Sequence, residues 1–519
     1  MASVAGIHAH DHRLGDFTAD GFAARDRFID EWLPRFEAFT ENELFPAERV
    51  DRALIVADLR GERAVRPFAR WRRQPTLYSD PITRGAYYAF MREHAPLAER
   101  VATLAERLAE APAALEAAKA NLDPALVPPE WVEIALRTVP AGAAFLRVGA
   151  PAMVPKATAL DRAAERAFLP AAEAAADALD EYAVWMKKTL QRKARGTFAI
   201  GRDAVDAWLK EKDLLDHDAA SLRAWGEEFY GETEAALNGA AIEVGHQDWR
   251  AAMEAVREDH PSEEALVETY RSEMERSRLA VGIAGLATIP YGEDLVVEAM
   301  PEFQRPTYPY AAYVGAGPFE SSRRGRFWVT LPDAGDDEKT RRERLEGHPR
   351  AGIAVIACHE GYPGHHLQLT VAADQPSLAR KAIRSNLMVE GWGLYVEELM
   401  TELGYLDSPQ TRLLRLKDLL WRAARVTVDV GLATGEMKFD DAVRFMVERA
   451  RLEEPNAVAE VRRYTLTPLQ PSSYALGRAA ILALRDKARA AGWGMRLFHD
   501  RLLGAGSLPP RLLEQDLGL

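Results

Sequence analysis

A chain of 519 residues can bury one or two large cores without staples, and its single cysteine, Cys358, excludes both a disulfide framework and a Cys-rich structural zinc site. A formal net charge of −13 argues against nucleic acid as a partner, because a phosphate backbone calls for clustered excess Lys and Arg. No stretch approaches the roughly 18 uncharged apolar residues of a membrane span, and the start has no basic region followed by an apolar run, so no membrane partner and a cytoplasmic setting are expected.

The first feature in chain order is "HAHDH", where His8, His10 and His12 imitate the His-x-His of barrel-type metal hydrolases. Too few apolar residues precede it to make a barrel strand, and a mobile tail is expected. Helical periodicity then dominates. "FTADGFAARDRFIDEWLPRFEAF", "AERVATLAERLAEAPAALEAAKANL" and "LDRAAERAFLPAAEAAADALDEYAVWMKKTLQRKA" repeat apolar residues three and four apart among Ala, Leu, Glu and Arg. No repeat period argues for a solenoid. From about Gly285 to Asp333, Pro, Gly, Tyr and β-formers replace the helical pattern, and loops with short strands are expected, "RFWVT" being the best strand. Helical patterns resume through "AGIAVIACHE", "KAIRSNLMVEGWGLYVEELMTEL" and "SSYALGRAAILALRDKARAAG". The expectation is a mainly α protein with a small β region near 285–333, divided near residue 280 into an N-terminal helical region, 1–280, and a C-terminal chemical region, 281–519, or else a single two-lobed body.

The chemistry concentrates in "IACHEGYPGHHLQLT". In an unbroken helix the sixth residue on lies about 9 Å along the axis, whereas zinc takes nitrogen ligands at about 2.0–2.1 Å, so a straight helix cannot bring His359 and His365 to one ion. Pro363 lacks an N–H, and its ring clashes with the carbonyl of His359, so the helix must open there. Gly364 permits backbone angles other residues avoid, which lets the chain return a second imidazole. His365 and His366 project differently; one of the two is expected to bind, and spacing does not choose between them. The competing reading is an apolar helix, "GIAVIAC", that ends at Pro-Gly with histidines drawn to its C-terminal dipole. Cys358 reads as a small buried hydrophobe. A third protein ligand is expected from a neighbouring helix, with the fourth position left for water. Glu390 in "NLMVEGWGLYVEEL" is the best candidate, and Glu397, two turns on, reads as support for the site or as a surface acid.

Together, "HEGYPGHH", "EGWGLYVE" and "PLQPSSYALG" resemble the bacterial DUF885 family over the C-terminal third of the chain, while the N-terminal half resembles it in helical texture and in "FAIGRDAVDAWLKEKDLLDHDAASLRAWGEEFYGET". That family looks like an outlying branch of the gluzincin metallopeptidases, helical zincin-like enzymes. The resemblance implies zinc on His359, His365 and Glu390, with Glu360 as general base. It selects His365 over His366 because "GH" here is similar to the Gly-His that closes the motif in related helical metallopeptidases.

The expected reaction is hydrolysis of a peptide or small amide: water activated at the metal attacks a carbonyl and Glu360 takes its proton. Tyr474 in "QPSSYALGR" is expected to donate to the oxyanion, and Arg478, one turn on, to take a substrate carboxylate or carbonyl. The ordinary alternatives are a core Tyr and a surface Arg. His366 is expected to hydrogen-bond substrate or a group that supports a ligand. Arg485 reads as a structural ion pair. "RFWVT" would either pair with an extended peptide beside the site or form a structural hairpin. Two other classes stand beside the hydrolase: a same-fold zinc enzyme acting on a non-peptide small molecule, and a non-catalytic helical binding protein with a structural metal. An intact Glu360 argues against the last, since a structural site has no use for a base.

Overall fold

The rows of Ala, Leu, Glu and Arg make the protein mainly α-helical in the computed structural model, which describes residues 2–301, 305 and 310–519. A first compact unit consists of Met1–Ala38, Leu59–Ile200 and Phe319–Ser322. It holds α1 (Ala19–Ala38), α2 (Thr76–Met91), α3 (Leu97–Ala109), α4 (Ala111–Asn121) and α5 (Ala159–Trp185). A capping box fixes the start of α5, Thr158 and Asp161 each accepting from the other's backbone N–H. The expected three- and four-residue spacing buries Leu104 and Leu108 of α3 and Phe168, Ala175 and Leu179 of α5, and these two helices pack together.

The second unit consists of Phe39–Asp58, Gly201–Pro318 and Arg323–Leu519. Its helices are α6 (Ala219–Glu243), α7 (Glu263–Ile283), α8 (Arg350–Glu360), α9 (His365–Ala373), α10 (Asn386–Glu402), α11 (Pro409–Thr434), α12 (Glu454–Leu466), α13 (Gln470–Ala490) and α14 (Met495–Gly504). Its strands are β1 (Asp294–Ala299), β2 (Ala311–Val314) and β3 (Arg324–Val329). No division falls near residue 280, because α6 and α7 pack onto the C-terminal elements. A Cβ on Gly226 of α6 would lie 2.6 Å from Val426 Cγ1 of α11, so a bare backbone sets that close approach. Leu266, Tyr270 and Met274 of α7 share one apolar cluster with Val297, Phe327 and Val329 of the strands and Ile353 and Ala357 of α8. The change from helical to β pattern near residue 285 is thus a change of layer within one core.

The sheet runs β1-β3-β2, with β1 parallel and β2 antiparallel to β3. "RFWV" is therefore the central strand, its Phe327, Trp328 and Val329 all buried. Its backbone is paired on both sides, so it has no edge for an extended peptide, and that expectation falls. Among the described residues no helix is long and apolar enough to cross a membrane.

Candidate functional site

The site is built where α8 breaks. Helix α8 ends at Glu360, the Tyr362–Pro363 peptide bond is cis, and α9 starts at His365. A Cβ on Gly364 would lie 1.9 Å from the His359 carbonyl oxygen, so only glycine lets the chain fold back this tightly. The return sets the His359 and His365 rings edge to face with centroids 4.8 Å apart. One ligand atom each from His359, Glu360 and His365 lies within 4.8 Å of the other two. Both histidines are buried.

Helix α10 supplies the carboxylates. Glu390 Oε2 stands 3.5 Å from His365 Nε2. Glu397, 2 % exposed, accepts at 2.7 Å from His359 Nδ1, so the proton sits on Nδ1 and the Nε2 lone pair is left for a metal. The glycines of "EGWG" make this approach possible: a Cβ on Gly393 would meet His359 Cε1 at 2.5 Å, and one on Gly391 would meet the Gly477 carbonyl carbon of α13 at 2.3 Å. Trp392 between them is buried and donates from Nε1 to the Pro363 carbonyl at 2.8 Å, tying the helix to the break.

Burial by itself would depress His365, but its hydrogen bond to Glu390 and the charges of Glu360 and Glu390 carry it up to about 9. Burial would raise Glu390, but hydrogen bonding with His365, the two histidine charges and the Tyr474 hydroxyl hold it at about 2. His365 Nδ1 is buried with no hydrogen-bond partner among the described residues. Two imidazoles, a paired carboxylate and an unpartnered ring nitrogen suit a divalent metal such as zinc, so the residues fit the implied ion.

His366 faces elsewhere. It is fully buried, its Nε2 donates to Glu293 at 2.7 Å, and its Nδ1 lies 3.1 Å from the Tyr313 hydroxyl. Glu293 also accepts from Arg278 at 3.0 Å and from the Tyr362 hydroxyl. Burial would raise Glu293, yet these three donors, with the His366 charge, hold it at about 2. A Cβ on Gly325 of β3 would lie 2.6 Å from His366 Nδ1, so the sheet must carry glycine there.

Tyr474 on α13 lies beside Glu390; burial first and then the Glu390 charge push its phenol up to about 12. Arg425 of α11 stacks over its ring, the guanidinium carbon 4.9 Å from the centroid. Gln470, at the start of α13, donates to Glu390 at 3.1 Å. The buried Asp429 sets this helix start, accepting from the Leu469 and Ser472 amides, each at 2.9 Å, and from the Ser472 hydroxyl at 2.6 Å. Arg478 is not at the site's polar cluster; its Nε donates to Glu398 at 2.7 Å and its guanidinium packs over Phe229. Arg485 pairs through both terminal nitrogens with Glu402, and Cys358 is fully buried. Sequence reasoning missed Glu293, Tyr313, Tyr362, Gln470, Arg425 and Asp429. Gln470 lies inside the quoted "PLQPSSY" and had a signal; the Glu293 carboxylate, 73 residues before His366 in a loop-like stretch, had none.

A family model described as "Bacterial protein of unknown function (DUF885)" matches residues 1–517. No curated protein matches the chain. Among solved structures, a "putative lipoprotein of unknown function" from Shewanella oneidensis superposes with a TM-score of 0.79 at 21% identity, over 100% of this chain and 96% of that one. A "putative lipoprotein" from Colwellia psychrerythraea gives a TM-score of 0.68 at 21% identity, over 83% of this chain and 78% of that one. At these identities the likeness is one of fold.

Proposed function

The chain belongs to the DUF885 family of bacterial proteins of unknown function, and from its site we propose that it is a zinc-dependent hydrolase of peptide or amide bonds, an outlying relative of the gluzincin metallopeptidases. The observation that carries this reading is the convergence of His359, Glu360 and His365 at the helix break, with Glu390 against His365 and Glu397 behind His359. A purely structural site has no need of a carboxylate such as Glu360 beside the ligands.

Zinc held by His359, His365 and Glu390 would polarise a carbonyl and acidify water to a pKa of roughly 7. The chain's own groups do the rest. Glu397 fixes the His359 tautomer and ring direction. Glu360 follows a ligand on α8, and adjacent helical residues point about 100° apart, so it accepts the proton of the attacking water and returns it to the leaving nitrogen. Tyr474, raised to about 12, stays protonated at neutral pH and donates to the carbonyl oxygen as that atom gains charge. Arg425, whose guanidinium stacks over the Tyr474 ring, adds positive charge beside that side chain.

The test combines elemental analysis with turnover. The purified protein is expected to lose the one equivalent of zinc belonging to this site on His359→Ala or Glu390→Ala. Glu360→Gln is expected to keep zinc and fold while cleavage of a mixed peptide library, read by mass spectrometry, falls about 10²-fold or more. A Glu360→Gln protein that is fully metallated and fully active overturns the mechanism.

A further inference from the structure

"HAHDH" plays no part in that chemistry, and it is not a mobile tail. His8–His10 forms a turn of 3-10 helix in the first unit. The His8 ring stacks on that of His94, in the turn after α2, with centroids 3.4 Å and planes 7° apart. Asp11 Oδ2 lies 2.7 Å from His8 Nδ1 and 3.6 Å from His94 Nε2. One ligand atom from each of these three residues lies within 4.8 Å of the other two. Glu320, on the short segment Phe319–Ser322 that returns to this unit, brings Oε1 to 3.9 Å from His8 Nε2.

Two observations point to a ligand. His8 Nε2 and Asp11 Oδ1 are buried without a hydrogen-bond partner among the described residues, an arrangement native structures avoid unless something fills it. His8, Asp11 and His94 also line a cavity of about 20 Å³, room enough for one water or one ion. Three arginines line it too, and each is engaged around it through at least one nitrogen, although the buried Arg107 Nε has no hydrogen-bond partner among the described residues. Arg100 donates to the Ala89 and Ala95 carbonyls at 2.6 and 2.8 Å, Arg107 to the Ser3 hydroxyl at 3.1 Å, and Arg92 to Glu320 at 3.2 Å. An anion there would meet the Asp11 carboxylate, whereas a cation would meet two imidazoles and that carboxylate.

We propose that His8, Asp11 and His94 form a second metal site, for a divalent transition-metal ion such as zinc, with Glu320 in reach as a fourth ligand. Imidazole and carboxylate together are the donors such ions take. Ligand atoms about 3.3 Å apart satisfy tetrahedral zinc, so the site closes when atoms now within 4.8 Å of one another draw together and one imidazole turns out of the His8–His94 stack to aim its in-plane lone pair at the ion. The ligands come from three chain segments far apart in sequence, and an ion joining them closes long loops, so its role is to staple the N-terminal turn onto the end of α2.

The test uses the full chain, stripped with chelator, reloaded with zinc, desalted and measured by elemental analysis. Wild type is expected to hold about two equivalents, His359→Ala about one, and His359→Ala combined with His94→Gln or Asp11→Asn about none. In the His359→Ala background zinc is expected to raise the melting temperature, and the rise to vanish with His94→Gln. If the combined variants still hold an equivalent, or His359→Ala alone leaves none, the second site is wrong. Should a substitution at position 11 or 94 prevent folding, the metal content and zinc-induced melting shift of His359→Ala alone decide. Wild type holding one equivalent that His94→Gln removes and His359→Ala spares would sink the catalytic reading and keep this one.

Discussion

Replacing Gly393 by Ala places a methyl group where the His359 ring lies. The added carbon would stand 2.5 Å from Cε1 and 2.7 Å from Nε2, about 0.9 Å inside the 3.4 Å at which ordinary contacts begin. The ring has little room to yield, since Glu397 holds Nδ1 at 2.7 Å on one side and the His359 carbonyl is packed against Gly364. Overpacking of this kind costs about 1–3 kcal/mol. If the ring turns to escape, it loses the Glu397 hydrogen bond that orients it, which typically weakens metal binding about 10–100-fold. Zinc affinity of Gly393→Ala is therefore expected to fall by that factor, measured by competition with a chromophoric chelator while far-UV circular dichroism confirms folding. Gly239→Ala, with nothing within 4 Å of the added carbon, is the matching control and is expected to bind as wild type does. A folded Gly393→Ala protein with wild-type zinc affinity would refute the assignment of His359 Nε2 as a ligand atom.

Glu397→Gln keeps the shape behind His359 but removes the charge, and zinc affinity is expected to drop about 10–100-fold, read by the same competition assay. His365→Ala is expected to lose the metal of this site, whereas His366→Ala keeps it but loses about 1–2 kcal/mol of stability in a denaturant melt, because Glu293 loses one of its three donors. Glu293 titrates at about 2 when folded against an ordinary 4.5, so its stabilisation, about 3 kcal/mol at most, is complete above pH 4.5 and is lost as pH falls toward 2. Melts of Glu293→Gln against wild type across that window are expected to converge in acid and diverge above it; parallel curves would contradict the assignment.

The helical class and the short strands were legible because periodicity and composition report local geometry directly. "HEGYPGHH" was legible for a stereochemical reason: Pro363 and Gly364 can do little at the end of a helix except open it and turn the chain back, and the break between Glu360 and His365 is that turn. "HAHDH" misled because its neighbours carry too few apolar residues to announce packing, while its anchor, His94, lies in a turn with no periodic signal. "RFWVT" was right as a strand and wrong as a candidate peptide edge, since the register between strands depends on two partners that the segment itself does not encode. The boundary near residue 280 failed for a related reason. A change of secondary-structure pattern marks a change of layer as readily as a change of domain, and Leu266, Tyr270 and Met274 sit in the same cluster as Phe327 and Ile353.

The adjacent pair His365 and His366 shows where sequence reasoning stops and geometry takes over. Side chains next to each other on a helix diverge by about 100°, so one imidazole faces His359 and Glu390 while the other turns to the sheet. The second ring is held at both nitrogens, by Glu293 and by Tyr313 of β2, and Gly325 of β3 leaves it room. A histidine so tied has no lone pair free for a metal, but it anchors the start of α9 to the sheet and thereby fixes the direction in which its neighbour points. On this account the two histidines are one device: His366 positions, His365 binds. Moving the helix by loosening His366 is expected to cost metal affinity indirectly and far less than losing His365 itself, and equal losses for the two alanine variants would show that the division of labour is wrong.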